Sequence, residues 1–439
     1  MSEASAAEIL PSGSPQANLD YSKFTTVYGF FPSLRQIRAF AAAAALKSIL
    51  KASIELNVSQ SAVTQAIAKL ETDLDATLFE MRNKGSYLTD TGKILQEHTE
   101  RFLDHLVNAL RGFMSKAAFN DSASLEALVR RITKSQIVAL IAIREAGSFT
   151  QAARYAGISQ PSIHRSARSL ETQLKTELFY DTAHGSMVNE RGAHLADQLH
   201  LAIREFEWAY EKIEAEKRQV RGRILVGGLL LAGSGFLASA ISQFATAYPE
   251  VNVDVACGSY DVLLEKLCAG SLDFIVGLLK SPAPADDVVE EVLVRDPYVI
   301  AVRKDHPLAG KDKITREELA AYDWVLPGPT AARRVNFERI FAGSNVIPRA
   351  NVETHSLTTI LLLLVDSDRM TILTESQLLL DRKLGHNLTS LNYPLTEPYG
   401  LLGVTTRKNW MPTHNQKIFR NFLRQTKMDN DLKMFRSDN

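Results

Sequence analysis

Cysteine is nearly absent from this chain: Cys257 and Cys268 are the only two among 439 residues. That excludes a disulfide-stapled secreted scaffold and fits a reducing compartment. Net charge is absent too, with 50 basic residues against 50 acidic ones, so bulk electrostatics point to no nucleic-acid or membrane partner. The most apolar runs, "ILVGGLLLAG" and "TTILLLLV", fall well short of the ~20 residues a bilayer crossing needs. The opening "MSEASAAEILPSGSPQANLDYSK" has acidic residues but neither a basic region nor an apolar stretch. It reads as a flexible leader over residues 1–30, not as a secretory signal. No Gly-x-Ser-x-Gly, no His-x-x-x-His pair and no paired carboxylates with a base are found. The expectation is a cytoplasmic protein with no membrane partner, no metal, no catalytic residues and no bound cofactor.

What is present is repetition. The length calls for two to four domains, and residues 34–92 slide onto 134–192 without a gap. Ser59, Gln60, Leu70, Glu71, Thr72, Leu74, Leu78, Phe79, Gly85 and Gly92 each recur one hundred positions later. That period is too long for a solenoid and suits a duplicated small domain. Within a copy, "LRQIRAFAAAAAL" and "SQIVALIAIREAG" read as helices, with apolar residues three and four apart. In the second copy Gly147 ends one helix, Ser148 caps "FTQAARYAG", and Gly157 closes it. Ser159 then caps a third helix with Pro161 placed early, where its missing N–H does no harm. Two helices about a short Gly-containing turn make a helix-turn-helix. "LFEMRNKGSYLTDTG" and "LFYDTAHGSMVNERG" follow as two-stranded wings with Gly at the tip.

In the third helix Val63, Ile67 and Leu70, like Ile163, Ala167 and Leu170, have core-facing spacing. That leaves Ser61, Thr64, Gln65 and Ala68 exposed in one copy, and Ser162, Arg165, Arg168 and Ser169 in the other, with His164 nearby. Short polar and Arg side chains near a helix N-terminus suit a major groove, where they reach base edges and phosphates. The same residues also suit an ordinary solvated face, and the spacing leaves both readings open.

At these residues the chain resembles the winged helix-turn-helix of LysR-type transcriptional regulators. The match includes the Ala-Ala of the second helix, Ser-Gln opening the recognition helix, Leu-Glu ending it and Leu-Phe before the wing. The resemblance implies DNA contact through Ser59, Gln60, Ser61, Thr64, Gln65, Lys69 and Arg82, and through Ser159, Gln160, Pro161, Ser162, His164, Arg165 and Arg168. It also implies partners: double-stranded DNA, a small-molecule effector, a second chain in a homodimer or homotetramer, and RNA polymerase as a further candidate. One departure is plain, since the family usually carries one such domain and this chain carries two. The first copy lacks the "GSFT" start, and the second lacks an Arg in its wing.

A run from Ala193 to Val220 with neither Gly nor Pro places Leu195, Leu199, Ala202, Phe206, Ala209 and Ile213 on one seam. In LysR-type proteins the matching helix pairs with another subunit, so these residues are expected to serve dimerisation. Burial against the first copy's helix is the alternative. That helix keeps the phase through Leu95, Thr99, Phe102, Leu106, Ala109 and Phe113, and a linker, "MSKAAFNDSAS", is expected after it.

Beyond Arg221 strands and helices alternate, which predicts a mostly parallel sheet with helices on both faces. The segment resembles a two-lobed effector domain of periplasmic-binding-protein type (type 2). "GSYDVLLEKLCAGSLDFIVGLL", "RKDHPL" and "YDWVLPGP" look nearest to the branch named for a galactose-binding-protein regulator. The whole is therefore a multidomain α/β chain. Winged helix-turn-helix copies occupy 31–92 and 131–192, with a helix and linker at 93–130 and a linker helix at 193–220. Lobe I is assigned to 221–296 and 397–430, lobe II to 297–396, and a tail to 431–439.

"GSGFLA" mimics a dinucleotide fingerprint, but Asp254 sits inside an apolar strand and not at its end. A milder use remains, an anion or hydroxyl site at a helix N-terminus built on Gly233 and Ser234. If the two-lobed reading holds, Thr330, Arg333, Arg334, His355, Ser356, Thr358 and Thr374 converge on the same cleft. Such a set suits a carboxylate or sugar-like effector, although each hydroxyl also suits a helix cap. Cys257 and Cys268 are expected to be buried thiols and not a redox switch.

The reading is a sequence-specific DNA-binding regulator controlled by an effector between two lobes. The alternative is a soluble small-molecule-binding protein whose helical domains serve assembly. The duplication leaves three options: both copies bind DNA, only the second binds, or one chain is its own half-site pair. The basic face favours the second copy as principal reader.

Overall fold

Caps fix the first helix of each copy in the computed structural model. Ser33 and Gln36, and Thr133 and Gln136, form capping boxes that satisfy reciprocal backbone donors. They open α1 (Leu34–Leu46), which is followed by α2 (Ile49–Glu55), α3 (Gln60–Leu74), the wing β1 (Phe79–Arg82) and β2 (Gly85–Leu88), then α4 (Asp90–Arg111) and α5 (Ser122–Arg131). The second copy repeats the order as α6 (Lys134–Ala146), α7 (Phe149–Ala156), α8 (Gln160–Leu174), β3 (Phe179–Thr182), β4 (Gly185–Val188) and α9 (Glu190–Glu216). The structure describes residues 31–82, 85–113, 122–182, 185–217, 222–229, 233–280, 285–329, 331–344, 346–385, 387–396 and 399–426. The expected leader, the tail and residues 114–121 of the expected linker lie outside them. From Ser122 the chain is already helical, so that linker is shorter than expected.

The repeated residues share repeated roles. Glu71 accepts from the N–H groups of Leu78 and Phe79 at 2.7 and 3.3 Å, and Glu171 does the same for Leu178 and Phe179 at 2.7 and 3.1 Å. The Leu-Glu ending thus ties each recognition helix to its own wing. Gly92 and Gly192 lie so close to the carbonyls of Leu78 and Leu178 that a Cβ would sit 2.2 and 2.5 Å from those oxygens. Only glycine fits there.

The chain divides into two compact units, Met1–Glu207 and Trp208–Asn439. The second is a two-lobed α/β domain: β5 (Gly222–Leu229), α10 (Ser234–Ala247), β6 (Val251–Gly258), α11 (Tyr260–Cys268), β7 (Phe274–Leu278), β8 (Val288–Arg303), α12 (Arg316–Ala320), β9 (Val325–Leu326), α13 (Ala332–Phe341), β10 (Val352–Glu353), α14 (Leu357–Val365), β11 (Thr371–Thr374), α15 (Glu375–Leu384), β12 (Leu388–Leu391), β13 (Tyr399–Arg407) and α16 (His414–Gln425). The sheet runs β11-β8-β13-β7-β5-β6, with β12 also on β8. Only β5 with β6 and β5 with β7 are parallel; β13 with β7 and β8, and β8 with β11 and β12, are antiparallel. The expected mostly parallel sheet is corrected to a mixed one. The cause is β8, which pairs with β13 over Val288–Pro297 and with β11 over Tyr298–Ala301, so one strand serves both lobes. Lobe I packs Phe244, Phe274 and Phe419 in its core, and lobe II packs Trp324, Phe337 and Ile372.

Candidate functional site

The two recognition helices bury the expected stripes: Val63, Ile67 and Leu70 in α3, and Ile163, Ala167 and Leu170 in α8. Gln60, Ser61, Thr64, Gln65 and Lys69 face solvent in the first copy, as do Gln160, Pro161, His164 and Arg165 in the second. Ser59 caps α3 through the N–H of Ala62 at 3.2 Å. Ser159 makes no such bond. Pro161 removes one N–H at the helix start, and the Ser159 hydroxyl pairs with that of Ser162 at 2.9 Å instead. That corrects the expected side-chain cap.

The copies differ most in what they offer an anion. Thr64 bonds back to the carbonyl of Gln60 at 3.0 Å, and Lys69 is held by Asp73 at 2.7 Å. In α8, His164 and Arg165 are exposed. Arg168, expected to be exposed, is half-buried: it bonds Glu171 at 2.7 Å and lies over the rings of Phe149 and Phe179 at 5.9 and 5.7 Å. Ser169, expected to be exposed as well, is half-buried and accepts from Gln136 at 3.0 Å. Arg82 stands in β1, paired with Gly85, and its side chain lies outside the described residues. On the preceding helix, α2 exposes Leu50 (55%) and Ile54 (72%), where α7 carries Thr150 and Arg154. Sequence reading passed over this contrast, although the equivalent positions state it.

Leu195, Leu199, Ala202 and Phe206 in the first unit are buried, as are Ala209 and Ile213, which belong to the second. The seam in the first unit is therefore covered inside a single chain.

In the effector domain the candidates fall into three groups. Arg333, fully buried, donates to the carbonyl of Ile372 and to Gln377 Oε1, both at 3.1 Å. The same Gln377 oxygen accepts from Thr374 N–H at 2.9 Å, so Arg333 and Thr374 do converge. Beside them Asp296, at the crossover of β8, accepts from the Ser376 hydroxyl at 2.6 Å and its N–H at 3.2 Å. Burial raises the Asp296 carboxyl above its ordinary range, opposed by the bonds from Ser376 and Thr374. Arg333 Nη2 and Gln377 Nε2 are buried donors with no partner among the described residues. Asp296, Ser376 and Gln377 were not anticipated. A lone Asp inside "VLVRDPYVIAV" was the available signal.

The second group lies at the parallel pair of β9 and β10. Arg334 donates to the Pro327 carbonyl at 3.3 Å, and His355 Nε2 stands 2.9 Å from where a Cβ on Gly328 would lie. Ser356 is a helix cap that accepts from Thr359 N–H at 3.3 Å, and Thr358 is exposed. The third is Gly233 in lobe I, the N-cap of α10 at φ 84°, packed on Leu402 and Gly277. Thr330 and the Ser234 side chain lie outside the described residues. Cys257 and Cys268 are both exposed, which corrects the expected burial: β6 is the sheet's edge strand and offers Cys257 an open face. Asp254 pairs with Arg223.

Residues 34–93 and 135–193 each match the bacterial regulatory helix-turn-helix protein family of lysR type, and residues 217–427 match the LysR substrate binding domain. The chain is 30% identical over 348 residues to the HTH-type transcriptional regulator GalR of Pseudomonas putida, covering 79% of this chain and 85% of that one. It is 26% identical over 238 residues to GbpR of Rhizobium radiobacter, covering 53% and 78%. Among solved structures, a full-length OxyR variant from Pseudomonas aeruginosa shares the fold at TM-score 0.51 and 18% identity, over 68% of this chain and 96% of that one. No helix among the described residues is long and apolar enough to cross a membrane.

Proposed function

Because the chain belongs to the LysR family of transcriptional regulators, a DNA-binding regulator with an effector-binding domain, we propose that α8 is its principal DNA reader and that its effector carries a carboxylate. The first half of this reading rests on Arg165, exposed near a helix N-terminus beside His164, whose ring leans on Phe149 at 5.4 Å, against a first copy whose lysine is held by Asp73. Arg reaches guanine edges or phosphates bidentately, which Thr64 and Gln65 cannot match in strength. Arg168 acts as the strut that holds α8 on Phe149 and Phe179.

The carboxylate half rests on one observation: two buried donors, Arg333 Nη2 and Gln377 Nε2, have no acceptor among the described residues beside the crossover of β8. An unmet buried donor costs about 1–3 kcal/mol, and a ligand carboxylate offers the oxygens that meet it. The hydroxyl of Ser356 is used as a cap, so the reading assigns the site no catalytic step. It places the protein in the cytoplasm with its DNA.

Two measurements test it. A gel shift across a salt series is expected to show affinity falling steeply with salt as phosphate contacts are lost; flat binding would favour assembly-only helical domains. A thermal-shift series with small carboxylic acids and their amides is expected to stabilise the chain with the acids alone. Arg333→Lys, which keeps the charge but not the fork, is expected to weaken that binding about tenfold.

A further inference from the structure

Helices α4 and α9 follow the two wings at equivalent places, and within the first unit they pack on each other. Phe102 meets Phe206 at 5.0 Å, and Phe31 touches both at 5.7 and 5.9 Å. The helices run antiparallel: the Arg191 guanidinium, at the start of α9, lies 5.9 Å from the ring of Phe113, just past the end of α4. Glu205 is buried between them. It accepts from Arg101 Nε at 3.0 Å, bonds His98 Nδ1 at 2.7 Å and meets His105 Nε2 at 3.5 Å. Burial pushes this carboxyl up, but bonds from His105 and His98 and the Arg101 charge outweigh it and hold the pKa at about 2.

The repeat makes this set informative. His105 and Glu205 are the same position in the two copies, and they face each other across the pair. Two α9 helices from different chains, packed in this geometry, would set Glu205 against Glu205. Gln198 and Leu201 would then stand where His98 and Arg101 stand now. The neighbouring cation, Arg204, is itself buried and bonded to Glu207. Two α4 helices would set His105 against His105 with an Arg101 on each side. Both like-with-like pairings bury groups of one kind together, while the unlike pairing matches them, which is how buried charge enforces partner choice.

We propose that the two helix-turn-helix copies of one chain pair with each other and not with their counterparts in a second chain, that Glu205 facing His98, Arg101 and His105 specifies this, and that the DNA so read carries two unlike half-sites. The last clause rests on the DNA-binding reading above; the first two do not. One half-site meets the Gln65 face of α3, and the other meets the Arg165 face of α8. Association between chains then uses surfaces other than this seam.

The test uses the full-length chain with a photo-crosslinking benzoylphenylalanine at Phe113. Unlabelled and nitrogen-15-labelled chains are refolded together from denaturant, irradiated and digested. Crosslinks to the α9 peptide containing Arg191 are expected to carry a single isotope throughout. A statistical share of mixed-isotope crosslinks would overturn the proposal by showing that the helices pair across chains. In parallel, Glu205→Gln and His105→Glu are expected to lower the melting temperature of the first unit by about 10 °C. Melting unchanged in both would remove the charge set as the determinant. Should either variant fail to fold, the crosslink on the otherwise unaltered chain still decides. Single-isotope crosslinks together with no DNA shift at low salt would sink the DNA reading alone and leave the pairing intact.

Discussion

The two helix-turn-helix copies differ where they face outward and agree where they hold themselves together. Leu70 and Leu170 are both buried, Glu71 and Glu171 bind the same two N–H groups of their wings, and Gly92 and Gly192 lie against the same carbonyl. Outside that frame the first copy presents Leu50, Ile54, Thr64 and Gln65, and the second presents Thr150, Arg154, His164 and Arg165. The first copy also bends its chain at greater cost. Lys47 and Asn57 take φ 51° and 53° where the second copy has Gly147 and Gly157, and a non-glycine residue pays roughly 1 kcal/mol there. Packing constrained both copies alike, while their surfaces were free to diverge. A duplicated reader of unlike sites has this pattern.

The largest expected effect probes the shared frame. Leu70→Ala and Leu170→Ala each leave a cavity in a filled core and are expected to cost about 2–5 kcal/mol, equally in the two copies. Denaturant unfolding of the full chain checks this, and a markedly smaller loss at Leu70 would break the equivalence.

Next comes acid. A carboxyl held below its unfolded value contributes stability that is present above that value and lost as pH falls towards the folded one. For Glu205 the window runs from the ordinary 4.5 down to about 2. Melting followed across that range is expected to show the wild type losing stability faster than Glu205→Gln, with the two curves converging at the acid end. Parallel curves would mean that the buried charge does not hold the helix pair.

The smallest effects sharpen the comparison at single caps. Ser59→Ala is expected to cost about 1 kcal/mol and Ser159→Ala little, since only Ser59 accepts a helix N–H. Lys47→Gly is expected to stabilise the first copy by about 1 kcal/mol, and Gly147→Ala to destabilise the second. Equal responses in the two copies would erase the difference described above.

Much of this was legible in the chain itself. A gap-free period, glycines at helix ends and stripes three and four apart identified the helices and the duplication, because those signals are local. The α/β character of the effector domain was legible through its alternation, and its two lobes only through the resemblance to LysR-type regulators. Its strand directions were not: Pro297 reads as a break, yet β8 runs through it from one lobe to the other. Arg168 looked like a reader because helical phase exposes it, and only the approach of Phe149 and Phe179 turns it inward. Asp296 and Ser376 meet 80 residues apart in sequence, and the Glu205 set joins residues 104 and 107 apart. Contacts that distant leave no periodic trace, so the sequence carries the residues but not their meeting.

The most direct test of the central claim, one chain reading two unlike half-sites, is a hydroxyl-radical footprint on the chain's operator with Arg165→Ala beside Gln65→Ala. Arg165→Ala is expected to erase protection over one half-site, and Gln65→Ala to weaken the other and leave the first in place. Equal loss over both halves with Arg165→Ala, and none with Gln65→Ala, would mean two copies of α8 from separate chains reading a symmetric site, and would contradict it.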